Sequence, residues 1–170
     1  MKQVECELTE LVDTYGEKLL RYATSILYNH QDAEDVVQDV FIAAYQNKAT
    51  FAGGNISAWL YKITYNQSIN KLKRRKLFIF GDIPENALIT TEQTGLSDET
   101  LNVLKLLKPQ DRAILYCRII EGYSYDELAL QMGIPPATLR KRYERAKKKV
   151  ADYLNTESLG FGYTKKGAKA

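Results

Sequence analysis

A chain of 170 residues that is 45% hydrophobic and 26% charged, with a formal net charge of +3, is too apolar for a disordered tail and too varied for a fibre. At roughly one domain per ~150 residues it holds one domain or two small ones. No run of ~18 apolar residues is present to span a bilayer, and the polar start Met1-Lys2-Gln3-Val4-Glu5-Cys6-Glu7 does not suit a signal peptide, so a cytoplasmic protein that is not itself a membrane protein is expected.

Between Leu8 and Ile26, apolar residues recur at three- and four-residue steps (Leu8, Leu11, Val12, Tyr15, Leu19, Tyr22, Ala23, Ile26), which predicts an amphipathic helix. A turn at Asn29-His30 follows, with His30 read as an exposed turn residue. Asp32 is then expected to cap a second helix whose apolar stripe is Ala33, Val36, Val37, Val40, Phe41 and Ala44. Gly53-Gly54-Asn55 breaks the pattern, and Ser57 is a candidate cap for a third helix running through Trp59, Leu60 and Ile63 to the basic block ending at Lys76.

Residues 77–95 lose periodicity, collect Gly81, Pro84 and Gly95, and carry Asp82, Glu85 and Glu92 but no Lys or Arg. This reads as a flexible linker that leaves the two halves free to move independently. Helical patterning returns in four segments, Asp98–Leu107, Pro109–Glu121, Ser124–Met132 and Pro136–Leu154, with breaks at Gly122 and Gly133. No strand-like alternation competes with them. The expected fold is therefore all-α: two small helical domains at 1–76 and 96–155, joined by the flexible linker, with a disordered tail over 156–170. Domains this small gain from docking onto a large partner that fixes their arrangement.

The stretch from Ser124 to Leu139 matches a helix-turn-helix in length and residue type. Ala129 is small where two helices approach, Gly133 can take positive φ at the turn, and Leu139 returns an apolar contact; Pro135 and Pro136 suit the start of the second helix. On that second helix Leu139, Tyr143, Ala146, Val150 and Tyr153 form an inward stripe. Thr138, Lys141, Arg145 and Lys148 lie opposite, with Arg142 flanking, on a face suited to a major groove. Lys141 and Arg145 are the candidates for base contacts.

In the first half, Asp32, Glu34, Asp35, Gln38 and Asp39 crowd one side of the second helix. Spacing alone leaves three readings open: a solvated face complementing the helix dipole, a docking surface for a basic partner, or carboxylates for metal-assisted hydrolysis. One uninterrupted helix encloses an ion poorly, so no metal or cofactor is expected. Cys6 and Cys117 have no CxxC spacing and read as reduced thiols. On the third helix Trp59, Lys62, Asn66, Asn70 and Lys73 align beside Arg74, Arg75 and Lys76. Aromatic, amide and basic groups in that arrangement suit single-stranded nucleic acid, although Trp59 alone is more often core than a base-stacking residue.

Taken in order, these motifs resemble one family. Asp-Ala-Glu-Asp-Val-Val-Gln-Asp-Val-Phe at 32–41 looks like the core-polymerase-binding motif of extracytoplasmic-function (ECF) sigma factors, and Trp59-Leu60-Tyr61-Lys62-Ile63 is similar to their promoter-melting region. Leu107-Lys108-Pro109-Gln110-Asp111-Arg112 and Glu121-Gly122-Tyr123-Ser124-Tyr125-Asp126-Glu127-Leu128-Ala129 are similar to the domain that reads the minus-35 element.

The resemblance covers roughly residues 8–154 and implies several roles. Asp32, Glu34, Asp35, Gln38 and Asp39 would contact core RNA polymerase, with Val36, Val40 and Phe41 supporting the helix. The loop 51–56, including Asn55, would pocket a flipped minus-ten base, and Trp59, Lys62, Asn66 and Asn70 would face the opened strand, with Lys73, Arg74 and Arg75 on its phosphates. Thr138, Lys141, Arg142, Arg145 and Lys148 would meet minus-35 promoter DNA. About sixteen residues follow the last expected helix, so no added C-terminal regulatory domain is expected. Control by a separate anti-sigma factor, often membrane-bound in this family, and a stress or cell-envelope regulon are implied. The alternatives are a helix-turn-helix repressor or activator acting without polymerase and, more remotely, a metal-dependent nuclease or hydrolase using the 32–39 cluster.

Overall fold

The computed structural model describes residues 2–47, 53–78 and 98–163, with side chains described over 9–47, 53–75 and 102–156. Among the described residues the chain is helical throughout: α1 (Lys2–Leu27), α2 (His30–Gln46), α3 (Ile56–Phe78), α4 (Asp98–Lys105), α5 (Pro109–Ile119), α6 (Tyr125–Met132) and α7 (Pro136–Tyr163).

In the first half α1, α2 and α3 pack pairwise into a three-helix unit. α1 contributes Leu19, Tyr22, Ala23 and Ile26, α2 contributes Ala33, Val36, Val40, Phe41 and Ala44, and α3 contributes Leu60, Tyr61 and Tyr65. α1 stops where Tyr28 enters the left-handed region at φ 51°. Asn29 then caps α2, its Oδ1 accepting from the Asp32 amide at 2.8 Å. The cap is thus Asn29 rather than Asp32, because the chain leaves its turn three residues earlier than acidity suggested. Asp32 sits in the first turn with its carboxylate free for other work. His30 is the first residue of α2, with Nε2 3.3 Å from Glu34 Oε1, and is not an exposed turn residue.

The same correction applies at α3. Asn55, not Ser57, supplies the cap, its Oδ1 accepting from the Ala58 amide at 3.1 Å, and the turn before it is made by Gly53 and Gly54 at φ 78° and 135°. Ser57 Oγ is instead 2.9 Å from the hydroxyl of Tyr123 in the second half.

α4 to α7 form the second half. Pro109 opens α5, where its missing N–H costs nothing. Ser124 and Glu127 form a reciprocal capping box on α6, in which the Ser124 amide donates to Glu127 at 2.7 Å and the Glu127 amide to Ser124 Oγ at 3.2 Å. Those bonds hold the Glu127 carboxyl below its ordinary value. Gly133 ends α6 at φ 66°, a conformation that admits glycine readily, and its N–H returns to Ala129 O at 2.9 Å. α7 continues to Tyr163, so residues 156–163 of the expected disordered tail are helical, while 164–170 lie outside the described residues.

The two halves, which the sequence reads as joined by a flexible linker, lie docked on one another in this structure. α1 packs on α5 and α3 packs on α6, and one hydrophobic cluster runs through both halves, with Leu19, Tyr22, Leu60 and Tyr61 meeting Ile114, Cys117, Tyr123 and Leu128. Linker composition reports on the linker and carries no information about the apolar surface either half leaves to bury. Two aromatic pairs cross the seam: Tyr22 with Tyr116, centroids 5.4 Å apart, and Tyr61 with Tyr123, edge-on at 5.7 Å. Each contributes about 1 kcal/mol beyond area burial. Against that, the hydroxyls of Tyr22 and Tyr61 are buried without a well-formed hydrogen bond, and an unsatisfied buried group costs about 1–3 kcal/mol.

The polar anchor of the seam is Arg112, only 7% exposed. Its guanidinium donates to Leu104 O at 3.1 Å and Leu107 O at 2.9 Å within the second half, and to Ile26 O at 2.5 Å at the end of α1. Burial pulls its pKa down to about 10, so it remains charged at neutral pH. Arg112→Met removes a donor from each of three carbonyls, of which only that of Leu104 keeps a backbone partner, the Leu107 amide at 3.2 Å, and is expected to lower the unfolding free energy by about 3 kcal/mol in urea titrations.

A second expectation concerns alkali. Burial pushes the Cys117 thiol up to about 12 and raises Tyr22, Tyr61 and Tyr116 above the ordinary tyrosine value. The folded chain therefore keeps protons that the unfolded chain releases. This contribution to stability is complete below about pH 8.5, the ordinary thiol value, and is lost as pH rises toward 12. Tyrosinate absorbance is expected to appear together with loss of helical circular dichroism in one alkaline transition; independent titration with the helices intact would contradict this.

Candidate nucleic-acid and docking interfaces

The apolar stripe of α2 is turned inward on Val36 and Val40, which sends Glu34, Asp35, Gln38 and Asp39 to solvent on the other side. Asp32, on the flank, has a side chain 21% exposed. Facing it are two bases of α3: Arg75 Nη1 lies 2.9 Å from Asp32, and Lys71 Nζ lies 3.3 Å from Asp32 and 2.8 Å from Asp35. For Lys71, burial acts to lower the pKa, but the hydrogen bonds and charges of Asp35 and Asp32 outweigh it and the net shift is upward. The acidic cluster and part of the basic block, which the sequence assigns to different partners, thus neutralise one another in this structure. From sequence Lys71 is only the first member of the basic block that ends at Lys76, with no partner assigned on α2. It stands one helical turn before Arg75, and an acid-to-base pairing between two antiparallel helices was the signal available.

Along α3, Lys62, Asn66, Asn70, Lys73 and Arg74 are exposed, while Tyr61, Thr64, Tyr65 and Ser68 are buried on the opposite side. Trp59 is half-buried and packs against the core cluster, so it is shared between core and surface. Arg75 is tied to Asp32 as described, and the side chain of Lys76 lies outside the described residues. Asn55 is exposed but its amide oxygen is engaged as the α3 cap. Residues 51–52 of the expected base pocket also lie outside the described residues.

The helix-turn-helix is α6, the Gly133 turn and α7. Leu139 and Ala146 are buried and Tyr143 and Val150 half-buried, leaving Thr138, Lys141, Arg145 and Lys148 exposed along one face. Arg142 does not join that face. It is 17% exposed, with Nε 2.7 Å from Asp111 Oδ1 and Nη1 2.5 Å from Gln110 Oε1, and it clamps α7 to the start of α5. A position flanking the DNA face also flanks the domain core, and Asp111 decides which way the side chain turns. Arg118, also missed from sequence, donates to Tyr123 O and stacks on Tyr125 at 4.5 Å and Tyr143 at 5.8 Å, locking α5 against both helices of the motif. Among the described residues no group of three or more His, Cys, Asp or Glu is arranged to hold a metal ion, and no helix is long and apolar enough to cross a membrane.

Comparison with known proteins bears on what this arrangement is. Residues 11–78 match the sigma-70 region 2 family and residues 97–150 the sigma-70 region 4 family. The chain is 31% identical over 162 residues to the RNA polymerase sigma-H factor of Pseudomonas aeruginosa, covering 82% of each chain. It is 28% identical to the ECF RNA polymerase sigma factor SigE of Mycolicibacterium smegmatis and 26% identical to the ECF RNA polymerase sigma factor SigW of Bacillus subtilis.

The chain belongs to the ECF sigma factors.

The matches to SigE and SigW cover 88% and 85% of this ECF sigma factor, which spans 62% of the length of the former and 87% of the latter. Among solved structures the fold is shared with RpoE of Bartonella quintana in complex with the anti-sigma factor NepR, at TM-score 0.70 and 24% identity over 91% of this chain and 98% of that one. CnrH in complex with the cytosolic domain of CnrY follows at TM-score 0.64 and 23% identity, over 89% and 90%. The three-helix first half is region 2 and the helix-turn-helix half is region 4.

Arg142 and Arg145 should separate in experiment. Arg142→Ala leaves Asp111 largely buried without its partner and is expected to destabilise region 4 by about 2 kcal/mol. Arg145→Ala is expected to leave the melting temperature within a degree or two while weakening duplex binding by roughly tenfold. Thermal melts and mobility shifts on the two variants check both.

Proposed function

We propose that this ECF sigma factor docks on core RNA polymerase through the exposed acids of α2, opens and holds the minus-ten strand along α3, and reads the minus-35 element with α7. The observation that carries this reading is the order of surfaces on one chain: an acidic face, a polar and basic helix flank, then an unneutralised basic face on a helix-turn-helix. Asp35, Gln38 and Asp39, with Glu34, complement basic polymerase helices. Lys62, Asn66, Asn70, Lys73 and Arg74 offer amides and cations to an opened strand, with Trp59 at the near end. Thr138, Lys141, Arg145 and Lys148 present their side chains to a groove, whereas Arg142 supports the helix that carries them. Asp32 and Arg75 hold the two faces in register, and Asn55 shapes the loop before α3 by capping it.

Sigma factors are initiation factors without enzymatic activity of their own. The absence of a spanning helix among the described residues and the partners implied here favour action in the cytoplasm. The RpoE neighbour was solved with an anti-sigma factor, which supports a protein regulator of that class for this chain as well, with a stress or cell-envelope regulon as the setting.

The test is run-off transcription by bacterial core polymerase on fragmented genomic DNA of the source organism. Wild type is expected to yield discrete new transcripts, and Asp35→Lys and Arg145→Ala to lose at least ~90% of them, the first through polymerase binding and the second through promoter binding. Duplex binding by the chain alone with no transcripts would replace this reading by that of a repressor or activator working without polymerase.

A further inference from the structure

We propose that Glu144 is a specificity-determining residue of α7: its carboxylate accepts a hydrogen bond from the N4 amino group of one cytosine in the minus-35 element and repels the acceptor edges of guanine and thymine at that pair. The inference rests on the reading of α7 as the minus-35 reader and deepens it. From Pro136 to Val150, α7 carries seven Lys or Arg and a single acid, Glu144.

That acid stands on the outer face of the helix. With Leu139 and Ala146 turned inward, Glu144 falls three residues after Lys141 and four before Lys148, in one row with both and beside Arg145, and all four are exposed. It lies roughly 12 Å along α7 from Pro136, within the first turns that a recognition helix inserts into a major groove.

Three bases are within helical reach of Glu144, and the order Glu144 to Lys148 is the favourable one for an ion pair. Among the described residues Glu144 nevertheless has no hydrogen bond or ion pair. Arg140, one turn earlier, is turned to the ring of Tyr125, 5.3 Å from its centroid. The carboxylate is therefore an uncommitted acceptor on a surface otherwise made of donors. Towards phosphate it is only a penalty, about threefold in affinity for one like charge at roughly 7 Å in water. Towards a base edge it is selective. Cytosine presents a donor in the major groove with no acceptor beside it, adenine sets its N7 acceptor next to its N6 donor, and guanine and thymine offer acceptors.

The test rebuilds a promoter found by run-off transcription with its minus-35 element randomised, and transcribes the pool with core polymerase and wild type, Glu144→Ala or Glu144→Gln, counting transcripts through a template-encoded tag. Wild type is expected to favour cytosine about tenfold at one position, and Glu144→Ala to shrink that preference to within about twofold there and nowhere else. Glu144→Gln, whose amide adds a donor for N7, is expected to move the preference at the same position to adenine. Both variants should bind a scrambled duplex about threefold more tightly and melt within a degree or two of wild type, since Glu144 is exposed and unpaired.

Base preferences unchanged at every position in Glu144→Ala, a loss spread evenly over all positions, or a loss confined to a pair where wild type does not select cytosine would each overturn the proposal. A wild-type chain that transcribes no member of the pool overturns the sigma reading instead. Selection of the same randomised duplexes by mobility shift with the chain alone then decides, by the same preferences, whether Glu144 reads cytosine.

Discussion

A guanidinium in a nearly dry position has to find acceptors for its donors, and the way Arg112 does so organises the molecule. Two of its bonds close the turn between α4 and α5, to the carbonyls of Leu104 in the last turn of α4 and of Leu107 just beyond it, and the third reaches the last turn of α1. A helix C-terminus is a favourable place for a cation because its carbonyls lack intrahelical donors. One side chain thus fixes a local turn in region 4 and the approach of region 2, and the tyrosine cluster fills the space that this approach defines. A hydrophobic replacement would fill similar volume but leave the Leu107 and Ile26 carbonyls without the guanidinium's donors, so the position suits a long, planar, charged group.

Region 2 solves a different problem, that of holding an acidic and a basic surface on adjacent helices. Asp32 sits between them, less exposed than its neighbours and paired with both Lys71 and Arg75. Exposed ion pairs contribute little to stability, about 0–1 kcal/mol each. Their value here is positional, since they set the rotation of α3 against α2 and hence the direction in which Asn66, Asn70 and Lys73 look.

Helical periodicity made most of the fold legible. The segment boundaries of α4 to α6 fall within a residue or two of those read from Gly122, Gly133 and the prolines, and Gly133 takes the positive φ expected of it. Caps were harder to read. Asp32 and Ser57 are good cap residues, yet Asn29 and Asn55 do the capping, because a cap is chosen by where the backbone leaves its turn and both asparagines stand at that point. Residues with two plausible neighbours were not legible at all. Arg142 and Arg75 carry the charge of a DNA contact, but only the position of Asp111 and Asp32 in space shows that each is already engaged. Docking of the halves was invisible for a similar reason: tyrosines in separate segments carry no periodic signal that pairs one with another.

The unequal neutralisation of the two basic regions has a kinetic consequence. On region 2, Asp32 and Asp35 close their field lines on Lys71 and Arg75, so these four charges add little potential beyond the ~8 Å screening distance of physiological salt. On region 4, Lys141, Arg145 and Lys148 stand exposed along one face of α7, and their field reaches outward. Diffusional capture of a polyanion is therefore led by region 4 and falls steeply with ionic strength. Region 2 divides its exposed charge between acids on α2 and bases on α3, so its pull on a polyanion is weaker than that of region 4, while its encounter with a basic partner is screened by the same salt.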